Sequence, residues 1–302
     1  MISIVIPLYN KEKQIAETLQ SVAAQTITDY EVVVVDDGST DRSAEIVENH
    51  AKSDPRIRLI HQSNAGVSAA RNRGIEEARG EFIALLDADD QWDSDYLETQ
   101  QSLREKYPEC RVFATNYRLL DGNGHIKDTI ITNIKFDNTG ILDNYFQVAS
   151  GSNCPVWTSA VMIRRDALLS IGGFPKGIKA GEDLLTWARL ACRYKIAYSI
   201  KPAATYRQDS GADNSEKPRR TPQEPDIVGI ELKKLAKEYN TPYIRNYISL
   251  WHKMRSMIYA RLGQNRYAIR EALKAVRYSP TTIKNYAVLA YSILPRSISK
   301  KL

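Results

Sequence analysis

Glu81–Asp90 has the sequence EFIALLDADD, in which the apolar run Phe82–Leu86 ends abruptly in three carboxylates. The length and composition of the run are typical of a buried strand. Ligands of open α/β sheets bind at the carboxyl ends of the strands, where Asp87 and Asp89 could reach one site. Two carboxylates suit Mg²⁺ or Mn²⁺. The alternative is a solvated acidic turn that caps the next helix. For so short a motif, taken alone, this alternative is the more frequent one.

The chain before this stretch alternates strand and helix patterns. We predict strands at 2–7, 31–35 and 57–61 and helices at 11–25, 41–52 and 66–79. Such alternation with short connections predicts βαβ units and a parallel sheet. The strand 31–35 also ends in acids, Asp36 and Asp37, so two acidic clusters should share one sheet edge. The glycine-rich phosphate loops GxxxxGK[ST] and GxGxxG are absent, which favours a metal held by carboxylates.

The pattern after Asp90 is no longer strictly parallel. We expect a helix at 94–107, a strand at 111–120 followed by a hairpin turn at 121–124, a helix near 141–148, a strand at 159–164, a helix at 184–194, one or two strands within 198–206 and a mobile loop at 208–225. Four helices, at 227–239, 243–262, 266–278 and 281–294, follow to the end. This organisation predicts two regions, a catalytic domain at 1–222 and a basic helical region at 223–302.

Composition excludes several classes of protein. The chain has 302 residues, 43% hydrophobic and 26% charged, which is enough for one large domain with an appendage or for two domains. Its three cysteines form no C-x-x-C pair, which predicts reduced thiols and neither a disulfide framework nor a zinc site. We find no signal peptide and no apolar run near the ~18–20 residues of a membrane span. A cytoplasmic protein is expected.

Charge is unevenly distributed along the chain. Residues 226–302 contain 15 Lys and Arg against 4 Asp and Glu, a balance of +11, whereas residues 1–225 have a balance of −5. The basic helices also carry aromatic and aliphatic residues, so they could lie on an anionic membrane surface, at the inner face of the cell membrane. The alternative is a helical bundle packed on the catalytic domain with a solvated basic face. No nucleic-acid recognition motif is present.

Four motifs together resemble the family 2 glycosyltransferases. They are IVIPLYN (Ile4–Asn10), VDDGSTD (Val35–Asp41), NAGVSAARN (Asn64–Asn72) and DADD (Asp87–Asp90), in the family's order and spacing. The resemblance covers residues 1 to about 210. It implies a GT-A fold, a Rossmann-like and mostly parallel central sheet with flanking helices, to which the helical region is added. It also implies inverting transfer of a hexosyl or N-acetylhexosaminyl group from a nucleotide sugar, with UDP favoured, to a glycan or lipid-linked hydroxyl in polysaccharide synthesis.

The same resemblance assigns donor-binding roles. Pro7 and Tyr9, with the adjacent Asn10, resemble the wall that receives the base. One of Asp36 and Asp37 resembles the carboxylate that accepts the imide N–H of the base, and the sequence does not decide which. The alternative is that they only form the turn with Gly38. Arg71 and Asn72 resemble residues near the base and the phosphates, although a surface arginine on a helix is an equal alternative.

The remaining roles concern the diphosphate and catalysis. Asp87 resembles the ribose contact and a metal ligand, and Asp89 the ligand of the Mn²⁺ or Mg²⁺ that bridges the phosphates. The role of Asp90 is open, either assisting the metal through water or starting the next helix. Arg207 is expected at the diphosphate, although its stretch, YRQDS, lacks the histidine that the family often shows.

Glu182 and Asp183 resemble the family's paired acids. Asp183 would be the base that takes the acceptor's proton, and Glu182 would orient the acceptor. The alternative is an acidic first turn that stabilises the helix after it.

Two rival functions remain. One is a catalytically silent nucleotide-sugar or glycan-binding module. The other is a nucleotidyltransferase, whose glycine-rich basic loop is missing here.

Overall fold

The computed structural model describes residues 1–208 and 221–293, and its first part alternates strands with helices. The strands are β1 (Ile2–Leu8), β2 (Tyr30–Asp36), β3 (Ile57–His61) and β4 (Phe82–Leu85), and the helices between them are α1 (Ile15–Ala23), α2 (Ser43–Ser53) and α3 (Val67–Glu77). Strand β1 pairs in parallel with both β2 and β4, and β2 pairs in parallel with β3. The prediction of a parallel sheet here is confirmed.

Burial explains why these runs form strands. Every residue of β2 is buried, since helices cover both faces of this part of the sheet. In β1 the side chains alternate between the two faces: Val5 joins one apolar cluster, whereas Ile4 and Ile6 join the other. This period of two is the one that a pleated strand requires.

The middle of the chain completes a mixed sheet. In order it forms β5 (Gln91–Trp92), α4 (Tyr96–Lys106), β6 (Val112–Leu120), β7 (Ile126–Asp128), β8 (Thr139–Ile141), α5 (Tyr145–Gly151), a 3₁₀ turn (Thr158–Ala160), β9 (Val161–Arg164), α6 (Arg165–Ser170), α7 (Glu182–Arg193) and β10 (Ile196–Arg207). The main strand order is β3-β2-β1-β4-β9-β6-β10-β5, with β7 beside β6 and β8 beside β10. Strand β9 runs antiparallel to both β4 and β6, whereas β6 and β10 are parallel. The sheet is therefore mostly parallel at one side and mixed at the other.

Two predictions for this region, the hairpin and the strands within 198–206, have different outcomes. The predicted hairpin is present, because β7 returns antiparallel to β6 after the turn at 121–124. The predicted one or two short strands within 198–206 are instead part of one strand of twelve residues, β10, whose register with β6 shifts on both sides of Pro202. Proline has no N–H for the ladder, which explains the irregularity. Most of the predicted mobile loop, residues 209–220, lies outside the described residues.

Four helices follow: α8 (Ile227–Tyr239), α9 (Ile244–Arg261), α10 (Asn265–Tyr278) and α11 (Ile283–Ile293). Tyr247 and Trp251 of α9 belong to the same apolar cluster as Trp187 of α7, and the ring of Tyr247 lies 5.3 Å from that of Phe146 in α5. The helical region thus shares a core with the sheet. Within the described ranges, no helix is long and apolar enough to cross a membrane.

Candidate active site

A cavity of about 620 Å³ lies at the carboxyl ends of β1, β2 and β4. Six of the predicted site residues line it: Pro7, Tyr9, Asp37, Arg71, Asp87 and Asp89. Four other residues predicted to bind the donor do not: Asn10, Asp36, Asn72 and Arg207. The predicted catalytic acids Glu182 and Asp183 do not line it either. We refer to it as the donor cavity. The two acidic clusters therefore meet at one sheet edge, as the strand pattern predicts.

The two acids after β2 have different surroundings. Asp37 lines the donor cavity, and its carboxylate accepts hydrogen bonds from the backbone N–H groups of Ala65 (2.9 Å) and Gly66 (2.8 Å) and from Gln62 Nε2 (2.7 Å). The carboxylate of Asp36 instead accepts from Ser39 N (3.0 Å) and meets His61 Nδ1 at 3.1 Å, outside the cavity. Asp37 is thus the acid of the pair that faces the donor cavity.

The loop after β1 holds its shape through Asn10. This residue has a left-handed φ of 51°, a conformation that asparagine tolerates better than most residues. Its side-chain oxygen accepts from Thr40 N (2.8 Å), and its own N–H donates to Ser39 Oγ (3.1 Å). These bonds join the ends of β1 and β2. Tyr9 beside it keeps 48% of its surface exposed at the cavity.

Arg71 is buried and joins both halves of the site. Its Nη2 lies 2.8 Å from Asp87 Oδ1 and its Nη1 lies 3.5 Å from Glu182 Oε1, and its guanidinium stacks over the Phe174 ring at 5.1 Å. Burial opposes the charge, but the surrounding carboxylates outweigh it and raise the pKa of Arg71. The alternative of a surface arginine is therefore excluded.

Asn72, next to it, serves the turn after α6. Its side chain donates to Phe174 O (2.8 Å) and accepts from Phe174 N (2.7 Å). Gly173 has φ +67°, and a Cβ there would lie 2.4 Å from Asn72 Oδ1, so only glycine fits. Asn72 thereby fixes the ring on which Arg71 stacks.

The acidic turn after β4 has three different carboxylates. Asp87 and Asp89 line the donor cavity, and Asp89 forms an ion pair with Lys11 Nζ. Asp90 is completely buried, where its carboxylate accepts from Ser159 Oγ and from Arg207 N (3.0 Å). Burial, with the nearby Asp87 and Asp89, raises the pKa of Asp90 well above its usual value. Asp90 therefore anchors the end of β10 from within the core.

The donor set at this turn fits a hard divalent cation. Asp87 and Asp89 offer carboxylate oxygens to one cavity, and Asp89 already attracts a cationic side chain there. Mg²⁺ and Mn²⁺ are commonly held by one or two carboxylates while substrate phosphates supply further oxygens. Arg207 does not line the donor cavity: its N–H donates to Asp90, and its guanidinium pairs with Glu17 on α1. Asp209 and Ser210, which follow it, lie outside the described residues.

Glu182 and Asp183 form the first turn of α7. Asp183 Oδ1 accepts from Leu184 N (2.7 Å), and Asp183 lines a second cavity of about 430 Å³. Burial raises the pKa of Asp183, and burial together with Asp183 raises the pKa of Glu182, while Arg71 acts in the opposite direction on both. The nearby Asp87 also raises the pKa of each of these acids. A partly buried carboxylate of raised pKa is suited to act as a general base.

The helical region supports this turn directly. Gly181 has φ +86°, and a Cβ there would lie 2.6 Å from the Trp251 ring, so α9 packs on the backbone immediately before Glu182. Trp251 also donates through Nε1 to Asp226 Oδ1 at 2.9 Å. Sequence reasoning missed this role of Trp251, because nothing local links two residues seventy positions apart. It also missed Lys11, for which a cation just after the first strand was an available signal.

A family model described as glycosyl transferase family 2 matches residues 3–171, more than half of the chain. The chain belongs to glycosyl transferase family 2. Its helical region lies beyond the matched residues, as does the Glu182–Asp183 pair.

Relatives of this family 2 glycosyltransferase agree with the assignment. An uncharacterized glycosyltransferase from Rickettsia felis is 31% identical over 220 residues, 72% of this chain and 35% of the relative. A candidate teichuronic acid biosynthesis glycosyltransferase, TuaG from Bacillus subtilis, is 30% identical over 223 residues, 72% of this chain and 82% of the relative. The chain thus spans only about a third of the Rickettsia protein but most of TuaG.

Solved structures show the same fold. Staphylococcus aureus TarS residues 1–349, in complex with UDP-GlcNAc, superposes with a TM-score of 0.67 at 19% identity over 99% of this chain and 88% of that one. The mannosyltransferase PcManGT from Pyrobaculum calidifontis, in complex with GDP-Man and Mn²⁺, has a TM-score of 0.58 at 19% identity over 96% and 78%. The GT-A-like sheet with a helical C-terminal region is therefore confirmed as the fold class.

Proposed function

We propose that this family 2 glycosyltransferase transfers a sugar from a UDP-sugar to a hydroxyl of a glycan or lipid-linked acceptor, with inversion, in cell-surface polysaccharide synthesis. One observation carries the proposal: the donor cavity and the cavity at Asp183 share Ile178 and Lys179 in their walls. A sugar at that junction would have the nucleotide-side acids Asp87 and Asp89 on one side and Asp183 on the other. A single-displacement reaction requires the leaving group and the base to lie on opposite sides of the sugar.

The base of the nucleotide fits the end of the cavity at Tyr9 and Asp37. The partly exposed ring of Tyr9 can stack on a pyrimidine. A carboxylate has about four acceptor sites, and the Asp37 carboxylate accepts from Gln62 Nε2 and from two backbone N–H groups, those of Ala65 and Gly66. One site is left for the imide N–H of uracil. These contacts support UDP over a nucleotide without such a donor.

The diphosphate belongs at Asp87 and Asp89. Arg71 takes Asp87 Oδ1, which leaves the second oxygen of Asp87 for the ribose or a cation. Asp89 would hold Mn²⁺ or Mg²⁺, which neutralises the charge that the departing nucleoside diphosphate gains. Lys11 would leave Asp89 for the phosphates when the cation binds. TarS and PcManGT are complexes with nucleotide sugars, and the latter also contains Mn²⁺, which supports this use of the cavity.

Asp183 would take the proton from the acceptor hydroxyl. The acceptor oxygen then bonds to the anomeric carbon as the bond from that carbon to the phosphate oxygen breaks, and UDP carries away the electron pair. Glu182, held by Arg71 at 3.5 Å, would orient the acceptor. The raised pKa of Asp183 favours this role, because proton transfer is most efficient when the pKa of the base lies near the working pH.

Asp89→Ala tests the metal assignment. Mn²⁺ should tighten UDP binding to the unaltered protein, and the variant should lose that gain, at least about tenfold, because even residues that only support metal ligands contribute 10–100-fold. Isothermal titration with UDP, with and without Mn²⁺, measures the difference. Asp95→Ala is the matched control, since Asp95 pairs with Lys201 away from the donor cavity. Equal UDP affinity with and without Mn²⁺ in the unaltered protein would sink the metal assignment.

A nucleotide-sugar-binding module without catalysis is the rival function. Slow release of UDP from UDP-sugars in water, measured without an acceptor, separates the two, because an enzyme hydrolyses its donor and a binder does not. The carboxylate of Asp183 in the cavity that adjoins the donor cavity favours the enzyme.

The helical region is proposed to lie on an anionic membrane surface at the inner face of the cell membrane. Tyr267, Leu273, Ile283 and Tyr286 of α10 and α11 are 47–84% exposed, in a region whose balance of charge is +11. Exposed apolar groups among cations are typical of interfacial helices. We expect the protein to sediment with phosphatidylglycerol vesicles at low salt and to be released by about 1 M salt, where screening is short-ranged. Equal sedimentation with phosphatidylcholine vesicles would contradict the electrostatic part of this proposal.

A further inference from the structure

The second cavity, which we name the acceptor cleft, is formed jointly by the sheet domain and the helical region. The sheet domain contributes Trp157, Ile178, Asp183 and Leu184, and the helical region contributes Val228, Leu250, Trp251, Met254 and Ile258. Its volume, about 430 Å³, is in the range of small-molecule sites. Most of the lining surface is apolar, although polar residues also contribute to it: Ser152, Lys179, Thr221, Gln223, Asp226 and Arg255.

Two charged residues of the acceptor cleft, Asp226 and Arg255, are already engaged within the protein. Asp226 Oδ1 accepts from Gly229 N (3.0 Å) and from Trp251 Nε1 (2.9 Å). The guanidinium of Arg255, 3% exposed, donates to Gln223 O (3.1 Å), to Glu224 Oε1 (2.7 Å) and to Glu271 Oε2 (3.3 Å). These groups therefore have little to offer to the hydroxyls of a bound saccharide.

This lining decides between two kinds of acceptor. A saccharide that filled the acceptor cleft would bury hydroxyls against apolar side chains, and each unpaired hydroxyl is costly. A hydrocarbon chain would gain free energy from the same surfaces. The carboxylate of Asp183 fixes where the reacting hydroxyl must lie, at the wall that the cleft shares with α7. Exposed Met254 on α9 is adaptable in the way that suits a flexible chain.

We infer that the acceptor is a glycolipid whose hydrocarbon chain occupies the acceptor cleft along α9 while its sugar hydroxyl meets Asp183. This inference rests on the proposed function and names the acceptor class for it. The helical region is then a specificity element, because it supplies the chain-binding wall through Val228, Met254 and Ile258. The positive balance of residues 226–302 is complementary to the anionic surface from which such an acceptor would be drawn.

Alkyl β-D-glucosides of increasing chain length are the probes for this site. Binding to the full chain is followed by tryptophan fluorescence below each critical micelle concentration, since Trp157 and Trp251 line the cleft. Affinity should rise from methyl to octyl glucoside by up to about fourfold for each methylene that becomes buried. Affinity that does not depend on chain length would overturn the inference.

A double variant, Met254→Ser with Ile258→Ser, places the chain in the cleft. We expect it to lose at least tenfold in octyl glucoside affinity and nothing in methyl glucoside affinity. The matched control is Met257→Ser with Ile230→Ser, which removes the same residue types from α9 and α8 outside the cleft lining. An equal loss in both double variants would overturn the assignment to the cleft. Failure of the unaltered protein to bind UDP with Mn²⁺ would instead overturn the proposed function, and the chain-length series would still decide the site.

Discussion

Asp183→Asn should reduce the release of UDP from UDP-sugars by about 10²–10⁴-fold, the usual contribution of a general base. Asparagine keeps the size of the side chain and can still accept the hydrogen bond from Leu184 N, but it cannot take a proton. UDP affinity should not change, because Asp183 lies in the wall of the acceptor cleft and not of the donor cavity. Steady-state kinetics and UDP titration measure the two effects separately. An active Asp183→Asn variant would remove Asp183 as the base.

The same substitution should stabilise the protein at neutral pH. Burial raises the folded-state pKa of Asp183, so its ionisation costs the folded state free energy once the pH exceeds the ordinary value of about 3.9. The cost grows until the pH passes the raised folded-state pKa and is complete above it. Thermal unfolding should thus show a higher Tm for Asp183→Asn at pH 8 and a smaller gain at about pH 4, near the unfolded-state pKa. Asp166→Asn, at an exposed carboxylate, is the control for the loss of one charge.

The first four strands were predictable because each is decided locally. In Glu31–Val35 a run of valines leaves no polar face, and only a strand covered on both sides fits it. The antiparallel insertion of β9 between β4 and β6 was not predictable in the same way. The neighbours of β9 are about eighty and fifty residues earlier in the chain, and its own four residues carry no sign of direction.

The same distinction between local sequence patterns and tertiary contacts applies to the candidate active site. The acids after β2 and β4 lie at the same edge of the sheet because both strands pair in parallel with β1. The alternation of strands and helices predicts this parallel pairing. Asp37 faces the donor cavity, whereas Asp36 faces His61. This difference depends on the path of the loop 62–66, which no local sequence pattern predicts. Asp90 is similar: its burial is set by Ser159, almost seventy residues away. The sequence thus predicts which strand ends carry the functional acids. Tertiary packing decides which of these carboxylates faces the donor cavity.

Arg71→Met should strongly destabilise the protein. The Arg71 side chain is 5% exposed and stands between Asp87 and Glu182, with Asp183 beside them. Removing one partner of a buried ion pair typically costs 3–5 kcal/mol, since the other charges remain buried without compensation. We expect a loss of about 3 kcal/mol in the free energy of unfolding, at the lower end because water still reaches Asp87, which is 27% exposed. Urea denaturation at pH 7.5 measures it.

Two further variants show what Arg71 does. Arg73→Met removes an exposed arginine from the same helix, where it pairs with Glu77, and should cost less than about 1 kcal/mol. Arg71→Lys keeps the charge but has one point donor in place of a planar fork, so it cannot hold Asp87 and Glu182 together. Without Arg71, the pKa of the acidic pair should rise further, which moves the acidic limb of the pH–rate profile of any active variant to higher pH. An Arg71→Met protein as stable as Arg73→Met, with an unmoved acidic limb, would show that the two cavities are not coupled through this guanidinium.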